Sequence, residues 1–155
     1  MQLKIHSTFD AAHRLAFHKG LCRNLHGHRY DVDIILEGVV GDNGILVDFG
    51  ILKRDFIRPC LADLDHALLL EQPDPLLTAI QSVLPEQRVV LFRCPPTAEA
   101  IAALIFSRLH FLLPSETTED HPIHVVSVEV HETADCSAIL SGSSLCPDFL
   151  PVGRT

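Results

Sequence analysis

The sequence predicts an α+β fold in which a small, four-stranded antiparallel sheet carries two helices on one face. Segments of alternating polarity open and close the chain, over 2–9, 28–40, 123–132 and 137–141. Helical patterns form a block between them, over 49–64 and 97–113. With a short hairpin arm over 45–47 beside these four strands, the order is β-β-β-α-α-β-β, which argues against a doubly wound parallel sheet, where strands and helices alternate. At 155 residues, 47% hydrophobic and 21% charged, the chain suits one domain with a real core rather than a disordered segment. Residues 1–142 carry that domain, and 143–155 form a C-terminal tail without periodicity.

The first strand places Leu3, Ile5, Ser7 and Phe9 on one side. In the second, Tyr30, Val32, Ile34 and Leu36 share a face opposite Asp31, Asp33 and Glu37. Gly41-Asp42-Asn43-Gly44 is a turn signal, and Ile45–Val47 then reads as the returning arm of a hairpin. Asp48 can cap the helix over 49–64, which Pro59 should kink or shorten. Residues 71–96 hold Pro73, Pro75, Pro85, Pro95 and Pro96 and read as a long connection with a short helix around 75–83. Thr97 caps the clearest helix, where Ile101, Leu104, Ile105, Leu109 and Leu112 recur at helical spacing, and Pro114 ends it. Over 123–132, Val126, Val128 and Val130 alternate with Val125, Ser127 and Glu129. Sheet edges left uncovered by two helices invite pairing between copies, so an oligomer is expected.

Composition excludes several functions. A net charge of -8 argues against tracking a nucleic-acid backbone, and 6% aromatics without Trp argue against stacking on single strands. Apolar runs stay shorter than the roughly 18 residues a membrane span requires. The N-terminal residues lack the apolar stretch of a signal peptide, which points to the cytoplasm. Five cysteines are an odd count and suggest thiols with individual roles. Cys60, Cys94, Cys136 and Cys146 show no spacing signature.

Ten histidines are the unusual figure. His26-Gly27-His28 leads into a strand, where residues two apart share a face, and His13 at the end of the first strand can join them. Three imidazoles make a zinc site with an open fourth position. Cys22 stands four residues before His26 and admits three readings: a fourth ligand closing a structural site, a reactive thiol beside the metal, or an inert thiol. Arg14, Lys19, Arg23 and Arg29 form a basic island without an acid between them, suited to an anionic substrate such as a phosphate ester. Asp65 beside His66 can set an imidazole tautomer. Glu132, at a strand end, can accept paired hydrogen bonds from a guanidine-like ring edge.

Six segments together resemble the 6-pyruvoyl-tetrahydropterin synthase and 6-carboxytetrahydropterin synthase family. They are Phe9–His13, Cys22-x3-His26-Gly27-His28, Val47–Lys53, Leu64-Asp65-His66, Pro96–Glu99 and His131-Glu132-Thr133, in family order across residues 3–142. The resemblance implies the tunnelling fold (T-fold), in which sheets from several copies join into a barrel, with a homohexamer of two trimers and sites at subunit interfaces. It implies Zn2+ on His13, His26 and His28, Cys22 as catalytic base, and Asp65 and His66 as a proton relay. It implies Glu132 as the acid that anchors the pterin, with a possible relay part, and Thr97 and Glu99 as pocket residues. Lys19 and Arg23 would meet the substrate's phosphates. The three-residue spacer after Cys22 is similar to bacterial 6-carboxytetrahydropterin synthases of the queuosine pathway. The implied activity is a lyase reaction on 7,8-dihydroneopterin triphosphate that releases triphosphate and acetaldehyde. The pyruvoyl-forming reaction, without carbon–carbon cleavage, and a non-catalytic zinc-binding protein are the alternatives. Glu71–Cys94 is longer than the family's usual connection.

Overall fold

The computed structural model describes residues 1–113 and 122–142; Pro114, the tail 143–155 and Cys146 lie outside the described residues. Strands β1 (Gln2–His13) and β2 (His26–Gly38) form a long antiparallel pair, with Phe9 opposite Tyr30, Ala11 opposite His28 and His13 opposite His26. The expected face of β2 is the core face: Tyr30, Val32, Ile34 and Leu36 are fully buried. Gly27 lets the strands approach closely between the two histidines: a Cβ there would sit 3.1 Å from the Ala11 carbonyl oxygen, tighter than ordinary contact.

The sheet has six strands, not four, and it is mixed. Its order is β4-β3-β1-β2-β5-β6. Beyond β1 lie β3 (Ala67–Glu71), parallel to β1, and β4 (Val89–Phe92), parallel to β3. β4 falls within the 71–96 stretch expected to be a connection, and β3 in the residues just before it, where the sequence pattern assigns no element. Ala67 and Leu69 join the main core while Leu68 and Leu70 join a second apolar cluster on the other face. A strand buried on both faces reads as a continuous apolar run and hides its period. On the far side, β5 (Ile123–Thr133) and β6 (Cys136–Ser141) extend the sheet in antiparallel fashion. The register between β2 and β5 shifts at Ile35/Leu36. The shift changes the phase of β5: Ile123 and Val125 face the core before it, Val128 and Val130 after it. Val125 therefore belongs to the buried set, contrary to strict alternation. Residues 45–47 do not form the expected strand.

The helices also depart from two on one face. The segment after Asp48 runs as α1 (Phe49–Ile51), a π-helical stretch (Leu52–Ile57) and α2 (Arg58–Leu61), and stops short of residue 64. Asp48 caps it as expected, accepting the Ile51 N–H at 3.0 Å. Pro59 sits in the first turn of α2, directly behind the π-helical stretch. Helix α4 (Ala98–Leu112) begins at the Thr97 cap and buries Ile101, Leu104, Ile105 and Leu109 fully; Leu112 is 39% exposed instead. Each such burial contributes roughly 1.5–3 kcal/mol, so α4 is a main anchor of the core. The third helix, α3 (Pro75–Val83), packs Leu76, Leu77 and Ile80 on the second cluster, on the opposite face of the sheet. Thus 67–92 is a β-α-β unit added at the β1 edge. No helix among the described residues is long and apolar enough to cross a membrane.

Candidate metal centre

The antiparallel register and the two-residue period bring His13, His26 and His28 together at one end of the core face. Their ring centroids lie 4.6, 5.3 and 4.9 Å apart. Tyr30 floors the cluster, stacked on Phe9 at 4.9 Å with its ring edge-on to His13 and His28. Burial and the charge of Glu132 push the Tyr30 phenol pKa up, so it stays protonated.

Backbone oxygens set the tautomers of His13 and His26. His13 Nδ1 lies 2.8 Å from the Pro96 carbonyl and His26 Nδ1 lies 2.8 Å from the Asn24 carbonyl. A carbonyl only accepts, so a neutral ring donates from Nδ1 and keeps its lone pair on Nε2. His13 is completely buried, and burial holds its pKa below the ordinary 6.5 against the pull of Pro96 and Glu132. A neutral imidazole with a fixed Nδ1–H is the form that ligates a metal. The Nε2 atoms of His13 and His28 are buried without a hydrogen-bond partner. Leaving such atoms unpaired costs about 1–3 kcal/mol each, and a cation relieves that cost. The donor set therefore fits zinc.

Glu132 joins this cluster. Its Oε1 lies 3.1 Å from His13 Nε2 and 3.5 Å from His28 Nε2, close enough for charge contact but off hydrogen-bond geometry. The four ligand atoms lie within 4.8 Å of one another. The sequence reading placed Glu132 at a strand end but did not link it to the histidines. The available signal was the alternation Val128, Val130, Glu132. At Glu132 the β5–β6 register also shifts, between His131 and Thr133. Bulges of this kind re-aim side chains beside active sites. The Pro96 and Asn24 carbonyls and Tyr30 were also missed; only coordinates reveal which backbone oxygen faces a ring.

Cys22 is not part of that four-residue group. It sits half-buried on a 3-10 turn (Leu21–Arg23), whose Cys22 carbonyl accepts the Leu15 N–H at 2.8 Å. Thr97 directly follows Pro96 and caps α4, while Glu99 is exposed in its first turn. Lys19 and Arg23 are exposed. Arg14 is not a free member of the basic island: its guanidinium grips Asp74 through two bonds of 2.9 Å. Arg29 reaches Thr8 Oγ1 at 3.3 Å.

Asp65 and His66 form a second group, with Asp10. His66 Nδ1 lies 3.0 Å from Asp65 Oδ1, and the same oxygen accepts the Asp10 N–H at 3.0 Å. The Asp10 amide, with His66, holds the Asp65 carboxyl below its usual range. His66 borders a cavity of about 660 Å³ that also takes Asp10, Ala12 and Leu68. Ala11, Ala67 and His28 line the same cavity, so it reaches a member of the triad. The ligand atoms of the pair and of the triad still form two separate groups.

The fold and the three-histidine cluster define an α+β protein with a candidate zinc centre at the end of a sheet. The family model for 6-pyruvoyl tetrahydropterin synthase matches residues 2–143. A probable 6-carboxy-5,6,7,8-tetrahydropterin synthase of Halobacterium salinarum is 37% identical over 129 residues, covering 83% of this chain and 79% of that protein. The 6-carboxy-5,6,7,8-tetrahydropterin synthase of Rickettsia typhi is 33% identical, covering 83% and 91%. The crystal structure of 6-pyruvoyl tetrahydropterin synthase from Plasmodium vivax shares the fold at a TM-score of 0.69, with 22% identity, covering 90% of this chain and 96% of that one. The chain belongs to the 6-pyruvoyl tetrahydropterin synthase family.

Proposed function

We propose that the protein is a zinc-dependent 6-carboxy-5,6,7,8-tetrahydropterin synthase. It would convert 7,8-dihydroneopterin triphosphate to the 6-carboxy product with release of acetaldehyde and triphosphate, in queuosine biosynthesis. The observation that carries this reading is the triad, in which the buried Nε2 atoms of His13 and His28 lack partners and the Nδ1 atoms of His13 and His26 face backbone carbonyls. The names of the relatives supply the substrate class.

His13, His26 and His28 would hold the zinc, whose Lewis acidity polarises the side-chain oxygens of the substrate. The Cys22 thiolate removes the proton from the adjacent carbon as general base. His66, oriented by Asp65, handles the companion proton. Glu132 accepts the paired N–H donors of the amino-pyrimidine edge; its side chain is 28% exposed, so it keeps an aspect open to a ligand. Thr97 and Glu99 line the pterin pocket, and Lys19 and Arg23 meet the triphosphate. Within one copy the triad and the pair are separate groups of ligand atoms, with His28 and His66 bordering one cavity. The protein would act as a homo-oligomer, a hexamer of two trimers, in keeping with sheet edges that invite pairing between copies.

The test is product analysis by mass spectrometry after incubation with 7,8-dihydroneopterin triphosphate. The expected products are 6-carboxytetrahydropterin, acetaldehyde and triphosphate. Triphosphate with a retained three-carbon side chain would identify the pyruvoyl-forming reaction instead. No turnover by the zinc-loaded protein would favour the non-catalytic alternative.

A further inference from the structure

The Asp65–His66 turn stands largely in solvent, with side chains 46% and 75% exposed. His66 nevertheless adopts φ +57°, a left-handed conformation uncommon outside glycine. Part of its support comes from β1, where the His66 N–H donates to the Asp10 carbonyl at 2.6 Å. The rest comes from the added β-α-β unit. Arg88 Nη1 donates to the carbonyls of Ala62 at 3.1 Å and Asp65 at 2.9 Å. Ala62 ends α2, where helix carbonyls lack partners and a cation is favoured.

Arg88 is itself fixed by its backbone. Its carbonyl accepts the Leu68 N–H at 3.0 Å, next to the β3–β4 pairing, and the Gln87 side-chain amide at 3.1 Å. The other end of the unit is pinned beside a candidate metal ligand. Asp74, whose side chain is 2% exposed, binds Arg14, the residue after His13, and caps α3 through the Leu76 N–H at 2.8 Å. The unit thus grips the ends of both functional groups.

We propose that Arg88 is a positioning residue: it holds the Asp65–His66 turn in its left-handed conformation and so aims the His66 imidazole. That the turn transfers protons rests on the function proposed above; that Arg88 orders it does not.

The experiment compares the full-length, zinc-loaded wild type with Arg88→Met and Arg88→Lys. Hydrogen-exchange mass spectrometry follows a peptide spanning 62–67, with a peptide of α4 as control. Arg88→Met should speed exchange of 62–67 about tenfold and leave α4 unchanged, as befits two charge-assisted bonds weakened by exposure. In turnover of 7,8-dihydroneopterin triphosphate, kcat should fall about tenfold with KM nearly constant, because aim and not binding is lost. Arg88→Lys should recover part of both. Unchanged exchange at 62–67 would overturn the proposal. So would a loosened turn with full kcat, or equal loosening of α4, which would make Arg88 a general structural residue. If the wild type itself gives no turnover, the proposed reaction fails, and the exchange measurement still decides whether Arg88 orders the turn.

Discussion

The two histidine sites use one side chain in opposite surroundings. His13 is sealed in the core, tied through Nδ1 to Pro96, and held neutral by burial. His66 is 75% exposed on a turn and borders a cavity that His28 also lines. The triad is preorganised by the strands themselves: register and period fix three rings before any ligand arrives. The pair relies on few local hydrogen bonds, one of them from a residue of the added unit. A buried cluster suits a bound cation, whereas an exposed pair keeps the freedom to exchange protons.

The largest expected effect breaks the triad. His26→Ala should lose zinc and turnover together, as read by metal analysis and activity; full zinc content in this variant would remove His26 from the ligand set. The matching change in the pair should separate the two properties. His66→Ala should keep zinc while turnover falls by roughly two to four orders of magnitude, the range for lost general acid–base help. Zinc loss in that variant would erase the distinction between the sites.

A smaller effect sharpens the role of Glu132. Glu132→Gln keeps the shape but removes the charge and one acceptor, so affinity for an unreactive pterin should fall at least about tenfold by calorimetry. Zinc content should hold; its loss would make Glu132 a fourth ligand rather than a pterin anchor.

The smallest effect concerns acid. His13 has a lowered pKa in the folded state, so below about pH 6.5 the unfolded chain takes up a proton that the buried ring refuses. The stability present above that pH is then lost progressively as pH falls toward the folded-state value. The metal-free protein should melt a few degrees lower, roughly, at pH 5 than at pH 7. A flat melting profile would show that His13 is not held neutral.

Much of this arrangement is legible in the residues. Alternation finds β1, β2 and β5, the Asp48 and Thr97 caps hold, and the His-Gly-His spacing puts two rings on one face. What is hidden has physical causes. β3 is apolar on both faces and so shows no period, and β4 is only four residues long. The prolines around them sit at element ends, at the start of α3 and before the Thr97 cap, where they punctuate structure rather than prevent it. Two register shifts in β5 re-phase Val125 and re-aim Glu132, and a bulge leaves little trace in sequence. The basic island loses Arg14 because its partner, Asp74, is sixty residues away in the chain.

X-ray absorption at the zinc edge of the loaded protein tests the central claim most directly. Three imidazole nitrogens are expected at about 2.0–2.1 Å, completed by oxygen and free of sulfur. A zinc–sulfur shell near 2.3 Å would place Cys22 on the metal, close the site, and contradict the assignment of an open catalytic centre.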